Sequence, residues 1–322
     1  MKKIVFGLAV FAMIGGLAGC GAQAKKTETS ASSATASSTV AAPTEIEVTD
    51  SNGKVTVPYS PKKVVVFDNS ALDTMDALGV GDRVAGAATS NLPDYLKNYA
   101  SVDSAGGIKE PDLEKINQIQ PDLIIISGRQ RDFQKDLEAI APTIFLSVDN
   151  ENTWSSIESN IQTIAQIFGK EEEAKTKLTA LQTRISALSE KAKDNEKALV
   201  VMMNEGSLAA FGMGSRYSIV YDTFGFTAVD DTLEASIHGQ NISYEYLLEK
   251  NPDIIFVIDR TKAIGGDTSQ SELTENELVQ QTTAGKNGKV IELNPQVWYL
   301  AGSGIESLDI MLSDVEPAVT KD

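Results

Sequence analysis

Two stretches of the chain share one pattern: LEKINQIQPDLIIISGR, from Leu113 to Arg129, and YEYLLEKNPDIIFVIDR, from Tyr244 to Arg260. In each, a Glu stands seven residues before a Pro, an Asp and an apolar run follow that Pro, and an Arg stands eight residues beyond it. Apolar residues before each Pro recur at three- and four-residue spacing, which predicts a short helix. The apolar runs are continuous and rich in β-branched residues, which is typical of parallel strands covered on both faces. The repeat therefore predicts an α/β fold.

The arginine that closes each copy lies where a ligand site is expected. In open α/β sheets, ligands bind beyond the carboxyl ends of the strands, and Arg129 and Arg260 both follow a predicted strand. An arginine at a strand end more commonly pairs with a surface carboxylate. However, only six of the 28 Lys and Arg residues are Arg, which indicates that the protein relies on Lys for solubility. Because a guanidinium group is a planar, always charged hydrogen-bond donor, two arginines at matched positions favour an anionic ligand.

The N-terminal sequence predicts a secreted protein. A basic start, a short apolar run and small residues make residues 1–19 a signal peptide rather than a transmembrane helix. The single cysteine, Cys20, follows Leu-Ala-Gly and so resembles the lipidated cysteine of bacterial lipoproteins. An ordinary signal peptide with an incidental cysteine is the alternative. One thiol excludes internal disulfides and cysteine-based metal sites.

The rest of the chain is predicted to form two lobes on a tether. Residues 20–44 are mostly Ser, Thr and Ala and cannot bury a core, so we expect a flexible tether. We expect an N-terminal α/β lobe over 45–150 and a C-terminal α/β lobe over 196–322. Residues 151–195 have helical periodicity and predict a long connector, as two helices broken near Gly169. The formal charge of −17 argues against a nucleic-acid partner.

Three further residues are candidates for the ligand site. Arg216 lies in a glycine-rich loop, and Tyr299 follows the last predicted strand. His238 is the only histidine, so a resident zinc or manganese site is disfavoured, and a serine triad would need this residue. A lone histidine is more often structural, and Tyr299 could be a core aromatic. As a phenolate, however, Tyr299 would be a hard oxygen ligand suited to ferric iron. No catalytic motif stands out, and we expect a binding protein rather than an enzyme.

The whole mature chain resembles the class III substrate-binding lipoproteins of ABC importers. It is most similar to the Gram-positive ferric-siderophore binders of the petrobactin and catecholate type. The phrases that carry the resemblance are PDLIIISGRQ, GMGSRY, IHGQNISYEYLLEKNPDIIFVIDR and VWYLAGSGIESL. The resemblance implies two Rossmann-like lobes joined by a helical backbone, with no intrinsic cofactor and a ferric chelate as the ligand.

The resemblance also implies residue roles. Arg129, Arg216 and Arg260 would face an anionic ferric catecholate. His238 and Tyr299 would complete the iron shell when a siderophore supplies only four donor atoms. Tyr217 and Trp298 could stack on catechol rings, although both could equally be core residues.

The same family docks on its permease through one surface glutamate per lobe. The paired positions here are Glu114 and Glu245, with Glu110 as a competitor on the first lobe. We therefore expect a monomer, anchored through Cys20 on the extracytoplasmic face of a Gram-positive membrane, that serves a permease and its ATPase. The alternatives are a haem binder with His238 as axial ligand, a hydroxamate or vitamin B12 carrier, and a surface lipoprotein for adhesion or catalysis.

Overall fold

The structure, a computed structural model, describes residues 43–193, 197–266 and 273–319. The predicted signal peptide, Cys20 and nearly all of the predicted tether lie outside these residues. No described helix is long and apolar enough to cross a membrane. The described chain begins with an antiparallel hairpin, β1 (Glu45–Asp50) and β2 (Gly53–Pro58), as the glycine turn between them predicts.

The first sheet follows the hairpin and is parallel throughout. Its strands are β3 (Val64–Val66), β4 (Val84–Ala87), β5 (Asp103–Ser104), β6 (Leu123–Ile126) and β7 (Thr143–Phe145). They are ordered β5-β4-β3-β6-β7. The helices between them are α1 (Asn69–Ala77), α2 (Leu113–Ile119) and α3 (Gln134–Glu138).

Two long helices connect the first sheet to the second. They are α4 (Thr153–Phe168) and α5 (Glu171–Ala192). The break falls at Gly169, as predicted, where the backbone adopts a left-handed conformation with φ of 63°. A Cβ atom there would also collide with the hydroxyl of Tyr59, so both the backbone angle and the packing favour glycine.

The second sheet is mixed. Its strands are β8 (Lys197–Asn204), β9 (Ser207–Phe211), β10 (Thr227–Ala228), β11 (Gln240–Ile242), β12 (Ile254–Asp259) and β13 (Val290–Glu292). The order is β11-β9-β8-β12-β13, with β10 paired to β8, and β9 runs antiparallel to β8 and β11. The remaining helices are α6 (Ile219–Asp222), α7 (Tyr244–Lys250), α8 (Arg260–Ala263), α9 (Glu277–Gln280), α10 (Thr283–Lys286), α11 (Pro295–Leu300) and α12 (Ile305–Val315).

The repeated segments form matched helix–strand units, α2–β6 and α7–β12. Each strand lies second from the edge of its sheet, and successive residues of each pack into different apolar clusters, so both faces are buried as predicted. The aspartate of each Pro-Asp pair accepts backbone hydrogen bonds from the segment that leads into the neighbouring strand. Asp122 accepts hydrogen bonds from the backbone N–H groups of Lys62 and Lys63, and Asp253 accepts one from that of Lys197. Each Pro-Asp pair therefore fixes its strand to the start of the neighbouring one.

A buried carboxylate joins helix α1 of the first sheet to helix α12 near the C-terminus. Asp73 in α1 is inaccessible to solvent and accepts hydrogen bonds from the backbone N–H groups of Glu306 (2.8 Å) and Ser307 (2.7 Å). Burial raises the pKa of Asp73, although these bonds and one from Tyr95 act in the opposite direction. The two helices approach closely because Gly304 has no side chain. A Cβ atom there would lie 2.5 Å from Cγ of Asp73 and 2.6 Å from the carbonyl oxygen of Ser70.

We predict that Gly304→Ala destabilises the protein by about 1–3 kcal/mol, because the added methyl group must displace both the buried, hydrogen-bonded side chain of Asp73 and the backbone of α1 at Ser70. Urea unfolding measures this loss. Gly107→Ala is the matched control, since its nearest neighbour would be the carbonyl oxygen of Glu110 at 3.9 Å. Equal free energies of unfolding for the two variants would contradict the close approach of α1 and α12.

Candidate functional site

A cavity of about 660 Å³ lies where residues from both sheets meet. All five residues predicted for the ligand site line it: Arg129, Arg216, His238, Arg260 and Tyr299. Arg129 lies in the turn after β6, and Arg260 begins α8 directly after β12, so both stand beyond the carboxyl ends of matched strands. The structure therefore brings together residues that are as far as 170 positions apart in sequence.

The three arginines converge on Tyr299. Arg129 donates a hydrogen bond of 3.0 Å from Nη2 to the carbonyl oxygen of Tyr299, and Arg216 donates another to the same oxygen. Arg260 donates from Nε to the Tyr299 hydroxyl at 2.7 Å. The guanidinium group of Arg216 also lies over the Tyr299 ring, 4.7 Å from its centre. One residue of α11 thus holds three cations in place.

These hydrogen bonds position the arginines without neutralising them. Arg260 makes a further bond of 2.5 Å, from Nη1 to the side-chain oxygen of Asn204, which is also uncharged. None of the three forms an ion pair with a described carboxylate. Burial and the charge of Arg216 lower the pKa of Arg129, and the charge of Asp68 raises it. The cluster therefore presents concentrated positive charge to the cavity.

The same cations change the acidity of Tyr299. Its half-burial raises the pKa of the phenol, but the hydrogen bond from Arg260 and the charges of Arg260, Arg216 and Arg129 outweigh this effect. The net result is a pKa below the ordinary value for tyrosine. The cluster therefore makes the Tyr299 phenol more acidic than an ordinary tyrosine, because nearby positive charge favours the phenolate.

His238 lies in an exposed loop before β11. Its neighbour Ile237 is 61% exposed, although both residues line the cavity. Gly239 allows the loop to pack on the second sheet, because its φ is 75° and a Cβ atom there would lie 2.8 Å from the Phe211 ring. The imidazole thus stands at the accessible side of the cavity that also contains Tyr299.

The two aromatic residues considered for stacking on a ligand are core residues instead. Tyr217 and Trp298 are 3% and 2% exposed, and neither lines the cavity. Tyr217 packs edge-on against Phe211, with ring centres 4.7 Å apart, and Trp298 donates from Nε1 to Asp314 at 2.9 Å. Their positions beside cavity residues in sequence gave no indication of which way the rings face.

Several polar residues in the cavity wall were not predicted. Lys109 adds a fourth cation, Asp68 adds a carboxylate, and Asn204 supports Arg260. Asp68 and Asn204 stand at or just beyond the ends of β3 and β8, the strands adjacent to β6 and β12. The strand-end rule that selected the arginines would have selected these two as well.

Comparison with known proteins places the chain in a family. The model of the periplasmic binding protein family matches residues 64–297. The chain belongs to the periplasmic binding protein family. Within it, the petrobactin-binding protein YclQ of Bacillus subtilis is 44% identical over 275 residues, which cover 84% of this chain and 86% of that protein. The ferric-anguibactin-binding protein FatB of Vibrio anguillarum is 32% identical over 281 residues, with 84% and 87% covered.

Solved structures of this family share the architecture. The crystal structure of YclQ superposes with a TM-score of 0.84 at 42% identity, covering 86% of this chain and 99% of that one. The catecholate-siderophore binding protein VctP of Vibrio cholerae gives a TM-score of 0.79 at 33% identity, covering 85% and 99%. These matches confirm the predicted family and its fold of two α/β lobes.

The three glutamates considered for docking are on the surface of this family member. Glu114 and Glu245 are exposed in the first turns of α2 and α7, and Glu110 is exposed in the loop before α2. Because α2 and α7 run antiparallel to the strands that follow them, the N-terminus of each helix lies near the carboxyl end of its strand, β6 or β12. Glu114 and Glu245 therefore lie on the same side of their sheets as Arg129 and Arg260.

A second concavity, of about 640 Å³, lies between α4 and α5. Its lining includes the apolar residues Trp154, Ala165 and Leu178 and the acidic residues Glu158 and Glu171. It contains no arginine and lies away from the strand ends that carry the cluster. We therefore take the arginine-lined cavity as the candidate site.

We predict that Tyr299 is the first tyrosine of the folded protein to ionise as pH rises, because three nearby cations stabilise its phenolate. Ultraviolet difference titration of tyrosinate measures this directly. In Tyr299→Phe the earliest step should disappear, and in Arg260→Met it should move to higher pH, because both the hydrogen bond and one charge are lost. An unchanged first step in Tyr299→Phe would contradict the assignment.

Proposed function

We propose that this protein is the substrate-binding component of an ABC importer and captures an anionic ferric siderophore of the catecholate type. The observation that carries the proposal is the convergence of Arg129, Arg216 and Arg260 on Tyr299, with only uncharged hydrogen-bond partners. Partly burying three like charges that form no ion pair is unfavourable unless a ligand supplies negative charge. Relatives named for petrobactin, anguibactin and catecholate binding support the same ligand class.

The charge of the cavity distinguishes among the carriers considered above. Catecholate complexes of ferric iron are anionic, and their oxygens match the donor geometry of guanidinium groups. Hydroxamate complexes and vitamin B12 carry less negative charge and would leave the arginines without counter-ions. A haem site would use His238 as axial ligand but would not need three arginines around a tyrosine.

His238 and Tyr299 would supply the iron with two protein ligands when the chelator offers four. Both line the cavity, and the lowered pKa of Tyr299 favours the phenolate that ferric iron prefers. A bis-catecholate provides four donor oxygens, which leaves two positions on a six-coordinate ferric ion. A chelator with six donors would leave none, and the arginines alone would hold it.

We predict that the mature protein binds ferric bis-catecholates and that His238→Ala and Tyr299→Phe weaken this binding much more than binding of a six-donor ferric catecholate. Arg129→Met or Arg216→Met should weaken both by roughly 10- to 100-fold, because each removes a charged hydrogen bond. Quenching of tryptophan fluorescence reports binding, since Trp298 directly precedes the cavity residue Tyr299.

Two outcomes would contradict parts of this proposal. Tight binding of ferric hydroxamate or haem, but not of catecholates, would overturn the ligand class. Equal losses for the four-donor and six-donor complexes in His238→Ala and Tyr299→Phe would remove the two residues from the iron shell.

We propose that Glu114 and Glu245 dock the loaded protein on its permease. The two residues occupy equivalent turns of the repeated units, are exposed, and lie on the side of each sheet where the strands end in arginine. A permease that contacts both glutamates would bind differently when a ligand changes the arrangement of the two lobes. Glu110 is an alternative to Glu114, but it has no partner in the second copy of the repeat.

We predict that Glu114→Gln and Glu245→Gln reduce cellular uptake of the ferric siderophore without changing its dissociation constant, because neither residue lines the cavity. Glu249→Gln is the matched control, being an exposed glutamate on the same helix as Glu245. Uptake that falls equally in the control, or that is unchanged in both test variants, would contradict these docking sites. A loss with Glu110→Gln alone would move the first site to that residue.

The proposed cellular setting follows from the N-terminal sequence. We propose cleavage before Cys20 and lipidation of its thiol, which would hold a monomer on the extracytoplasmic face of the membrane, with a permease and its ATPase as partners. Relatives of this chain include substrate-binding lipoproteins of Bacillus subtilis.

We also propose that the two lobes comprise residues 45–150 and 196–322, with residues 151–195 as the connector between them.

A further inference from the structure

Asp68 is the only carboxylate among the described residues that line the ligand cavity. It stands against four cations, Lys109, Arg129, Arg216 and Arg260, which leaves a formal charge of +3 when His238 and Tyr299 are neutral. Asp68 forms no ion pair with any of them, yet its charge acts on Arg129. Asp68 therefore reduces the net positive charge of the cavity without forming an ion pair with any of the four cations.

The hydrogen bonds of Asp68 do not require a charge. A single oxygen, Oδ1, accepts from the backbone N–H groups of Ser70 and Ala71, both at 3.0 Å, and so caps the N-terminus of α1. Asparagine caps helices about as well as aspartate. The sequence thus uses a charged side chain at a position where a neutral one would fulfil the structural requirement.

Asn204 presents the opposite situation in the second sheet. It ends β8, beside the strand that leads to Arg260, and its side-chain oxygen accepts from Nη1 of Arg260. Aspartate at this place would offer the same oxygen and would also neutralise the guanidinium group. Asn204 is therefore a positioning residue that aligns Arg260 while leaving its charge available.

We propose that Asp68 and Asn204 set the net charge of the cavity and thereby select ligands by their charge. This inference rests on the proposed function, since it concerns the same cavity. Asp68 carries a negative charge that its hydrogen bonds do not need. Asn204 is neutral, although aspartate could accept the same hydrogen bond from Arg260. Together, Asp68 and Asn204 determine the net positive charge that acts on an incoming ferric complex.

The expected size of the effect follows from one unit charge acting across part of a solvent-filled cavity. At separations beyond direct pairing and with partial screening, this corresponds to roughly a threefold to tenfold change in the dissociation constant of an anionic ligand. A neutral ligand of similar size should hardly respond.

The experiment uses two isosteric variants of the mature protein with opposite charge changes, Asp68→Asn and Asn204→Asp. Each is titrated with an anionic ferric tris-catecholate and with a neutral ferric trihydroxamate, at several salt concentrations. Asp68→Asn should bind the catecholate roughly three to ten times more tightly, with a steeper salt dependence. Asn204→Asp should bind it more weakly, with a shallower one. Hydroxamate binding should change little in either.

The double variant, Asp68→Asn with Asn204→Asp, is the control, because it restores the formal charge and should return catecholate affinity towards that of the wild type. Thermal unfolding checks that each variant is folded. Shifts in the same direction, or equal shifts for both ligands, would overturn the inference while leaving the proposed function intact. Failure of the wild-type protein to bind any ferric catecholate would overturn both.

Discussion

The convergence of three guanidinium groups on one residue is the constraint around which the cavity is built. Arginines that approach one another repel, and burial adds a cost that solvent no longer offsets. Tyr299 reduces this cost by offering a carbonyl oxygen to Arg129 and Arg216 and a hydroxyl group to Arg260. Because these acceptors are uncharged, the positive field is retained.

Two copies of one helix–strand unit position Arg129 and Arg260 at the cavity. Each copy ends in an arginine, and each Pro-Asp pair secures its strand to a neighbour. Tyr299 does not belong to the repeat, and its position depends on α11 and on the packing of α12 against α1. The buried Asp73 and the missing side chain of Gly304 determine that packing. The ligand site thus depends on contacts remote from it, which link the C-terminal helices to the first sheet.

Much of this arrangement could be predicted from the sequence, because periodicity and strand ends are local signals. The repeated units, the break at Gly169, the strand-end arginines and the exposed position of His238 all follow from such signals. What could not be predicted depends on side-chain direction. Tyr217 and Trp298 lie next in sequence to Arg216 and Tyr299, yet their rings point into the core. The contact between Asn204 and Arg260 likewise arises from tertiary packing, which no short window of sequence records.

We propose that the arginines and Tyr299 hold an anionic ferric complex, and a crystal structure of the protein with a ferric bis-catecholate would show whether they do. We expect the guanidinium groups of Arg129, Arg216 and Arg260 to contact catecholate oxygens, and Tyr299 and His238 to bind the iron. A complex bound elsewhere, such as in the concavity between α4 and α5, would contradict the proposed ligand site. So would a complex in the cavity whose catecholate oxygens contact none of the three arginines.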